Sequence, residues 1–192
     1  LASGKSFVGE ALAALGCHLL KADELGHRLL MPGTEVYRRV VEEFGPSILD
    51  AEGRIQRRAL AQVVFADPEK LARLNAIVHP AVIEEEERWM AGVQAQDPHG
   101  IAVVEAAILI ETGSYRRFDR IVLALCSREQ QIERAMKRDG LSREEALQRL
   151  ERQMPLEEKR KFADFIIDTS GEKEQTLAQV RRLYEELRRL AG

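Results

Sequence analysis

The apolar positions of this 192-residue chain change period along its length, and those changes divide it. Near the start, Val8, Leu12 and Leu15 fall at i, i+4 and i+7, which predicts a helix. Gly16 stands where a left-handed C-terminal cap is expected. Cys17 to Asp23 reads as a short strand ending in charge, followed by a helix from Glu24 to Met31 that Pro32-Gly33 stops. From Thr34 to Gln96 only helical spacing appears. Tyr37, Val40, Val41 and Phe44 form one stripe, Gly45-Pro46 breaks it, and Asp50 to Gly53 is a turn. Arg57 to Phe65 is a short helix. Asp67-Pro68 opens another, with Leu71, Leu74, Ile77 and Val78 on one side; His79-Pro80 interrupts it and Val82 to Val93 continues it.

The pattern then returns to short apolar runs. Ile101 to Glu105 is continuous and ends in a carboxylate, as a buried parallel strand does. Arg120 to Cys126 is a second such run and Phe165 to Asp168 a third. Ser127-x-x-Gln130 and Ser142-x-x-Glu145 are capping boxes that open helices. Leu177, Val180, Tyr184 and Leu187 line the last helix. Strands alternating with helices predict an α/β fold with a parallel sheet, interrupted by one all-helical insertion.

Composition narrows the function classes. The chain is 45% apolar and 32% charged, the balance of an ordinary globular protein. A net charge of −3 provides no general basic field for nucleic acid, so an anionic ligand must be met by local clusters. No apolar run approaches the roughly 18 residues of a membrane span. Cys17 and Cys126 are isolated in apolar surroundings and read as reduced core thiols of a cytoplasmic protein, not as a metal pair.

Candidate chemistry begins at Ala2-Ser3-Gly4-Lys5-Ser6-Phe7. The Walker A loop ends in G-K-[ST], and Gly4, Lys5 and Ser6 supply that end. The first glycine of the pattern, and the strand that feeds it, would lie ahead of Leu1, so the chain reads as opening inside its own motif. Glycine lets the backbone approach a phosphate, and the helix that follows offers unpaired N–H groups to the same anion. Lys5 would sit on the β- and γ-phosphates and the Ser6 hydroxyl would hold Mg²⁺. Taken alone, the tetrapeptide fits a capped helix with a solvated lysine equally well. Asp23, at a strand's end, suits a general base or a helix N-cap, and Glu105 suits a metal-shell acid or an ordinary strand-end carboxylate. Arg134 and Arg138 lie four apart and share a helix face, where they suit phosphate clamps, with Arg143 farther on; Arg143, Arg149, Arg152, Lys159 and Arg160 read, with room for one exception, as a solvated face, and Glu111 as structural. His79 reads more simply as a residue packing at the break before Pro80 than as a catalyst, and Trp89 as core.

Several blocks together resemble the dephospho-coenzyme A kinase family from residue 1 to about residue 171. They are Ala2 to Ser6; Lys21-Ala22-Asp23 with His27 and Pro32-Gly33; Gly53-x-Ile55-x-Arg57 with Leu60 and Phe65; Leu74-Asn75 with Val78-His79-Pro80; Leu109-Ile110-Glu111; Arg134 with Arg138-Asp139 and Gln153; and Ala163-Asp164 with Gly171. The resemblance implies a three-layer P-loop kinase core with a parallel five-stranded sheet, its first strand missing from this chain. Residues 1–33 and 97–192 would form the core, about 139–161 a helical lid, and 34–96 a helical CoA-binding insertion. It implies transfer of the γ-phosphoryl of ATP, with Mg²⁺, to the 3′-hydroxyl of dephospho-CoA by a monomer or weak oligomer with no nucleic-acid or membrane partner. Lys5, Asp23 and Arg138 would be catalytic, Asp23 as the base. Ala2, Ser3, Gly4, Lys5, Ser6, Phe7, Arg134 and Arg138 would bind ATP; Asp23, Arg57 and His79 the substrate; Ser6 and Glu105 the metal. Four positions depart from the family pattern: Lys21 replaces a first aspartate, Phe7 a threonine, Ala107 a proline, and Ser170 stands where an asparagine is frequent. Two other readings are another small-molecule P-loop kinase and a nucleotide- or CoA-binding protein without catalysis.

Overall fold

In the computed structural model, which describes residues 1–192, the order is α1 (Lys5–Ala14), β1 (His18–Lys21), α2 (Ala22–Leu29), α3 (Glu35–Phe44), α4 (Arg57–Phe65), α5 (Pro68–Gln96), β2 (Ala102–Glu105), β3 (Val122–Leu125), α6 (Arg128–Asp139), α7 (Arg143–Glu151), α8 (Leu156–Lys159), β4 (Phe165–Asp168) and α9 (Lys173–Ala191). The chain divides into two units, Leu1–Leu19 with His99–Gly192, and Leu20–Pro98. The expected insertion, residues 34–96, lies within the second, together with α2.

The strands form two pairs. β3 and β4 are parallel, in register from Val122 opposite Phe165 to Leu125 opposite Asp168. β1 pairs with β2, and the His18 N–H donates to the Ile101 carbonyl at 2.9 Å. These residues supply four of the five strands expected, and no hydrogen bonds join one pair to the other. The α/β class with parallel pairing stands.

In the first unit, α1 buries Val8 and Leu12 against Val180 and Leu183 of α9, Ala124 of β3 and Ile167 of β4, with the Cys17 thiol among them. Burial pushes that thiol's pKa up to about 11, so it is an inert core group. Both predicted capping boxes are present, Ser127 with Gln130 on α6 and Ser142 with Glu145 on α7. Ile132, Ala135 and Ala146 close the contact between these two helices, and Leu1 and Ala2 pack against the same cluster. The start of the phosphate-loop motif therefore rests on α6 and α7 through apolar contact.

The second unit has its own core, Val36, Val40, Ile48, Leu60, Val64 and Ile77. Thr34 caps α3 by accepting the Tyr37 N–H, and Asp67 caps α5 by accepting from Glu69 and Lys70. Two expectations change here. α5 is one helix of 29 residues that runs through His79-Pro80 instead of breaking there. Proline removes one N–H and costs about 3 kcal/mol in a helix interior. Ile77 is buried, and Leu71, Leu74, Val78 and Ala81 on both sides of the proline pack on this core; each fully buried side chain of that kind contributes roughly 1.5–3 kcal/mol, which offsets the loss. The strand before α2 ends at Lys21, not Asp23. Lys21 takes the extended N-cap conformation, and Asp23 sits in the first turn of α2, where its charge suits the helix dipole. Trp89 is only half-buried; Glu86 takes the buried position on that stretch of α5. No helix is long and apolar enough to cross a membrane.

Candidate active site

The first turn of α1 and the end of β2 meet at one carboxylate. Gly4 precedes the helix with φ +89°, a left-handed value that glycine adopts without strain. Lys5 Nζ donates to Glu105 Oε1 at 2.6 Å, and Ser6 Oγ donates to the same oxygen at 2.5 Å. Glu105 is the last residue of β2 and its side chain is 6% exposed, against 29% for Lys5, so the ammonium reaches in from a wetter position. Oε2 of Glu105 is buried and accepts no hydrogen bond. It lies over α1 where glycine leaves space: a Cβ at Gly9 would stand 3.5 Å from it. A buried carboxylate oxygen without a donor is costly, and the arrangement suits a cation beside Ser6 and Glu105. No cluster of three or more His, Cys, Asp or Glu could hold a metal by itself. One carboxylate and one hydroxyl beside a phosphate loop is the sparse protein donor set from which Mg²⁺ is held together with phosphate oxygens.

The loop backbone is held from behind. Ser3 is buried, and its carbonyl accepts the Thr169 hydroxyl at 2.7 Å. The Leu1 carbonyl accepts Gln131 Nε2 at 2.7 Å. Arg134 is half-buried and bonded to Thr169, through Nη2 to the carbonyl at 2.6 Å and Nη1 to Oγ1 at 3.3 Å. The Phe7 ring lies 6.0 Å from Lys173 Nζ. Arg138 is exposed and forms a two-pronged pair with its neighbour Asp139, at 2.7 and 2.9 Å, which holds the Asp139 carboxyl below the usual range.

Lys159 corrects an expectation. Read from the sequence as part of a solvated face, it is 6% exposed, donates to the Ala107 carbonyl at 3.0 Å and pairs with Glu111 at 2.7 Å. A run of charges, Glu157 to Lys161, gave no periodic sign that one of them turns inward. Arg143 does lie on the surface, paired with Glu129 at 2.5 Å.

Asp23, Arg57 and His79 belong to the second unit. Asp23 and Arg57 come together around His27: the imidazole's pKa is lowered by burial and then by Arg57, while Asp23 and Glu24 oppose the shift. His79 stands apart from these charges, half-buried on α5, with its pKa lowered by burial alone.

Thr169 and Gln131 were not marked from the sequence. For Thr169 a signal existed: it directly follows the apolar run of β4. Gln131 carried no signal beyond facing the same way as Arg134 along α6.

Comparison with known proteins gives the family. A family model described as dephospho-CoA kinase matches residues 1–175. The dephospho-CoA kinase of Aquifex aeolicus is 42% identical over 186 residues, covering 97% of this chain and 93% of that protein. That of Geobacter sulfurreducens is 41% identical over 184 residues, covering 96% and 93%. Among solved structures, one from Thermus thermophilus superposes with a TM-score of 0.81 at 34% identity, covering 97% of this chain and 92% of that one. The dephospho-CoA kinase of Campylobacter jejuni superposes with a TM-score of 0.72 at 27% identity, covering 98% and 94%. The chain belongs to the dephospho-CoA kinase family.

Proposed function

We propose that this chain transfers the γ-phosphoryl group of ATP to the 3′-hydroxyl of dephospho-CoA, giving CoA and ADP. The observation that carries the reading is the Lys5–Glu105–Ser6 cluster at the N-terminus of α1, in a chain of this family. The backbone of Ala2 to Phe7 receives the ATP phosphates. Lys5 is shared: Glu105 holds its ammonium, and the phosphates compete for it. Mg²⁺, when bound, neutralises charge on the phosphates, and Ser6 and Glu105 are the residues to hold it. Arg138, with Arg134 behind it, stabilises the charge of the transferring group. Asp23 accepts the proton of the 3′-hydroxyl, and Arg57 and His79 bind the remainder of the substrate. In the same reading the two strand pairs are parts of one five-stranded parallel sheet. Residues 139–161 act as a lid that excludes water, and residues 34–96 bind CoA.

The test is ADP release by the purified full-length protein with ATP and Mg²⁺, supplied with dephospho-CoA and separately with AMP, CMP or shikimate. The expected result is ADP with dephospho-CoA alone, matched by CoA. ADP with another acceptor moves the substrate and keeps the class. ATP binding without ADP from any acceptor makes the chain a nucleotide-binding protein without this catalysis.

A further inference from the structure

Thr169 touches the phosphate loop on two sides of a single peptide bond, and nothing in the catalytic roles above uses it. It follows β4, is 5% exposed, and its own N–H donates to the Leu125 carbonyl at 2.8 Å at the end of β3. The residue is thus fixed to the sheet before its side chain does anything. Its hydroxyl has one hydrogen and two carbonyls within reach, Ser3 at 2.7 Å and Leu125 at 3.2 Å. The Leu125 carbonyl already accepts the Thr169 N–H, and the shorter contact is to Ser3. Arg134 Nη1 points at Oγ1 from the other side, at 3.3 Å. Guanidinium only donates, so Oγ1 is the acceptor there and its hydrogen is left for Ser3. A cationic donor on a hydroxyl oxygen also strengthens that hydroxyl as a donor.

A peptide group is planar and trans, so its C=O and N–H point in opposite directions. Holding the Ser3 carbonyl toward Thr169 therefore aims the Gly4 N–H away from Thr169. The space on that side is set as well: a Cβ at Gly4 would lie 3.1 Å from the Cβ, Cγ2 and Oγ1 of Thr169. Gln131 does the same two peptides earlier. Its bond to the Leu1 carbonyl aims the Ala2 N–H away from α6. Ala2 and Gly4 both have positive φ, at 52° and 89°, separated by Ser3 with ordinary backbone, and such alternation turns successive N–H groups into an anion-binding concavity.

We infer that Thr169 is a positioning residue for this reaction: its hydroxyl, oriented by Arg134, fixes the Ser3–Gly4 peptide so that the Gly4 N–H faces the phosphates. This rests on the kinase reading above and deepens it. The tether acts before chemistry, on the affinity for nucleotide phosphates, so it is measured apart from turnover.

The experiment is titration calorimetry of ATP and of ADP into the wild-type protein and into Thr169→Val, Thr169→Ala and Thr169→Ser, with steady-state kinetics alongside. Valine keeps the shape and removes the hydroxyl. Alanine removes it without a second methyl in that packed position, which guards against a valine variant that fails to fold. Serine keeps the hydroxyl. ATP affinity is expected to fall about tenfold in the valine and alanine variants and to stay within about threefold of wild type in the serine variant. The KM for dephospho-CoA stays unchanged in all three. ATP affinity within threefold of wild type in the folded alanine variant overturns the tether. So does a serine variant as weak as the alanine variant. If the wild type binds ATP but does not turn over dephospho-CoA, the kinase reading fails while the affinities still decide the tether. A wild type that binds no ATP overturns both.

Discussion

Lys159 Nζ lies 2.7 Å from Glu111 Oε1 and fastens α8 to the segment that follows β2. The same carboxylate oxygen accepts the Met154 N–H at 3.1 Å, so the segment entering α8 and the last residue of α8 are held by one side chain. The lysine is buried, while the Glu111 side chain keeps 21% of its surface in contact with solvent. Lys159→Met removes the cation, leaves the Ala107 carbonyl without its donor, and exposes Glu111 only partly to water. The expected loss is about 2 kcal/mol, the lower part of the range for broken charged contacts because Glu111 retains solvent on one side. For a chain of this length that is a fall of roughly 4–8 °C in Tm by calorimetry. A fall of less than about 2 °C would place the pair with ordinary surface salt bridges.

Gly4 and Gly140 separate two costs of adding a methyl group. Both have positive φ, 89° and 65°. A Cβ at Gly140 meets nothing within 4 Å, whereas at Gly4 it meets Thr169 at 3.1 Å. Gly140→Ala carries the conformational cost alone, about 1 kcal/mol at the C-terminus of α6, with ATP affinity unchanged. Gly4→Ala carries the same cost and also pushes on the residue that holds Ser3. It is expected to weaken ATP binding by at least about tenfold. Equal ATP affinity in the two variants would show that the contact with Thr169 yields without moving the loop.

Lys5 and Asp23 carry the largest expected effects on rate. Lys5→Ala removes the ammonium offered to the phosphates, and Asp23→Ala the proposed base; each is expected to lower kcat by about a hundredfold or more. The two differ in how they reach that loss. Lys5→Ala also removes the cation bonded to the buried Glu105, so it lowers Tm, whereas Asp23 is exposed in the first turn of α2 and its loss is expected to lower Tm less. Near-wild-type turnover in Asp23→Ala would remove it from the base role.

Legibility in the sequence followed the range over which each signal acts. Capping boxes at Ser127 and Ser142, the cap at Asp67 and the glycine after α1 are local patterns, and each stands where its neighbours along the chain put it. The continuity of α5 through Pro80 was not legible, because the local rule against an interior proline was outweighed by packing against α3 and α4. Lys159 was misread for a related reason: its inward turn depends on Glu111, distant in sequence. The candidate site divides the same way. Gly4, Lys5 and Ser6 announce themselves as a motif and Glu105 as the polar end of an apolar run. Thr169 and Gln131 act on backbone carbonyls, and a carbonyl leaves no trace in a residue alphabet.

Acidification provides a further test through His79. Burial lowers its pKa below the ordinary value of 6.5. As pH falls through about 6.5 the unfolded chain takes up a proton that the folded chain refuses, so folding stability drops. The contribution is complete above about 6.5 and is lost as pH descends toward the lowered folded value. His27 has the same sign but is exposed, and Asp23 and Glu24 oppose the shift, so its share is smaller. Urea unfolding of wild type and His79→Gln at about pH 7.5 and about pH 5 should show a smaller acid loss in the variant. Identical pH dependence in the two proteins would mean that His79 titrates as a solvated histidine.

Arg138 must give up one partner to gain another. Its guanidinium is bonded to Asp139 through Nε and Nη2, with Arg149 3.7 Å from the same carboxylate. The Arg138 side chain is 59% exposed, and an exposed pair of this kind is worth about 0–1 kcal/mol, so leaving Asp139 costs little. A phosphate offers a charge-assisted, two-pronged contact of greater strength, and binding ATP can draw the side chain away. Arg138→Ala is therefore expected to lower kcat by about a hundredfold with Tm within about 2 °C of wild type. Asp139→Asn weakens the competing partner and is expected to lower the KM for ATP by up to about fivefold while kcat stays put. Steady-state kinetics with ATP varied at saturating dephospho-CoA distinguishes the two. An Asp139→Asn variant whose KM for ATP rises would show that the carboxylate orients Arg138 for the phosphates and does not compete with them.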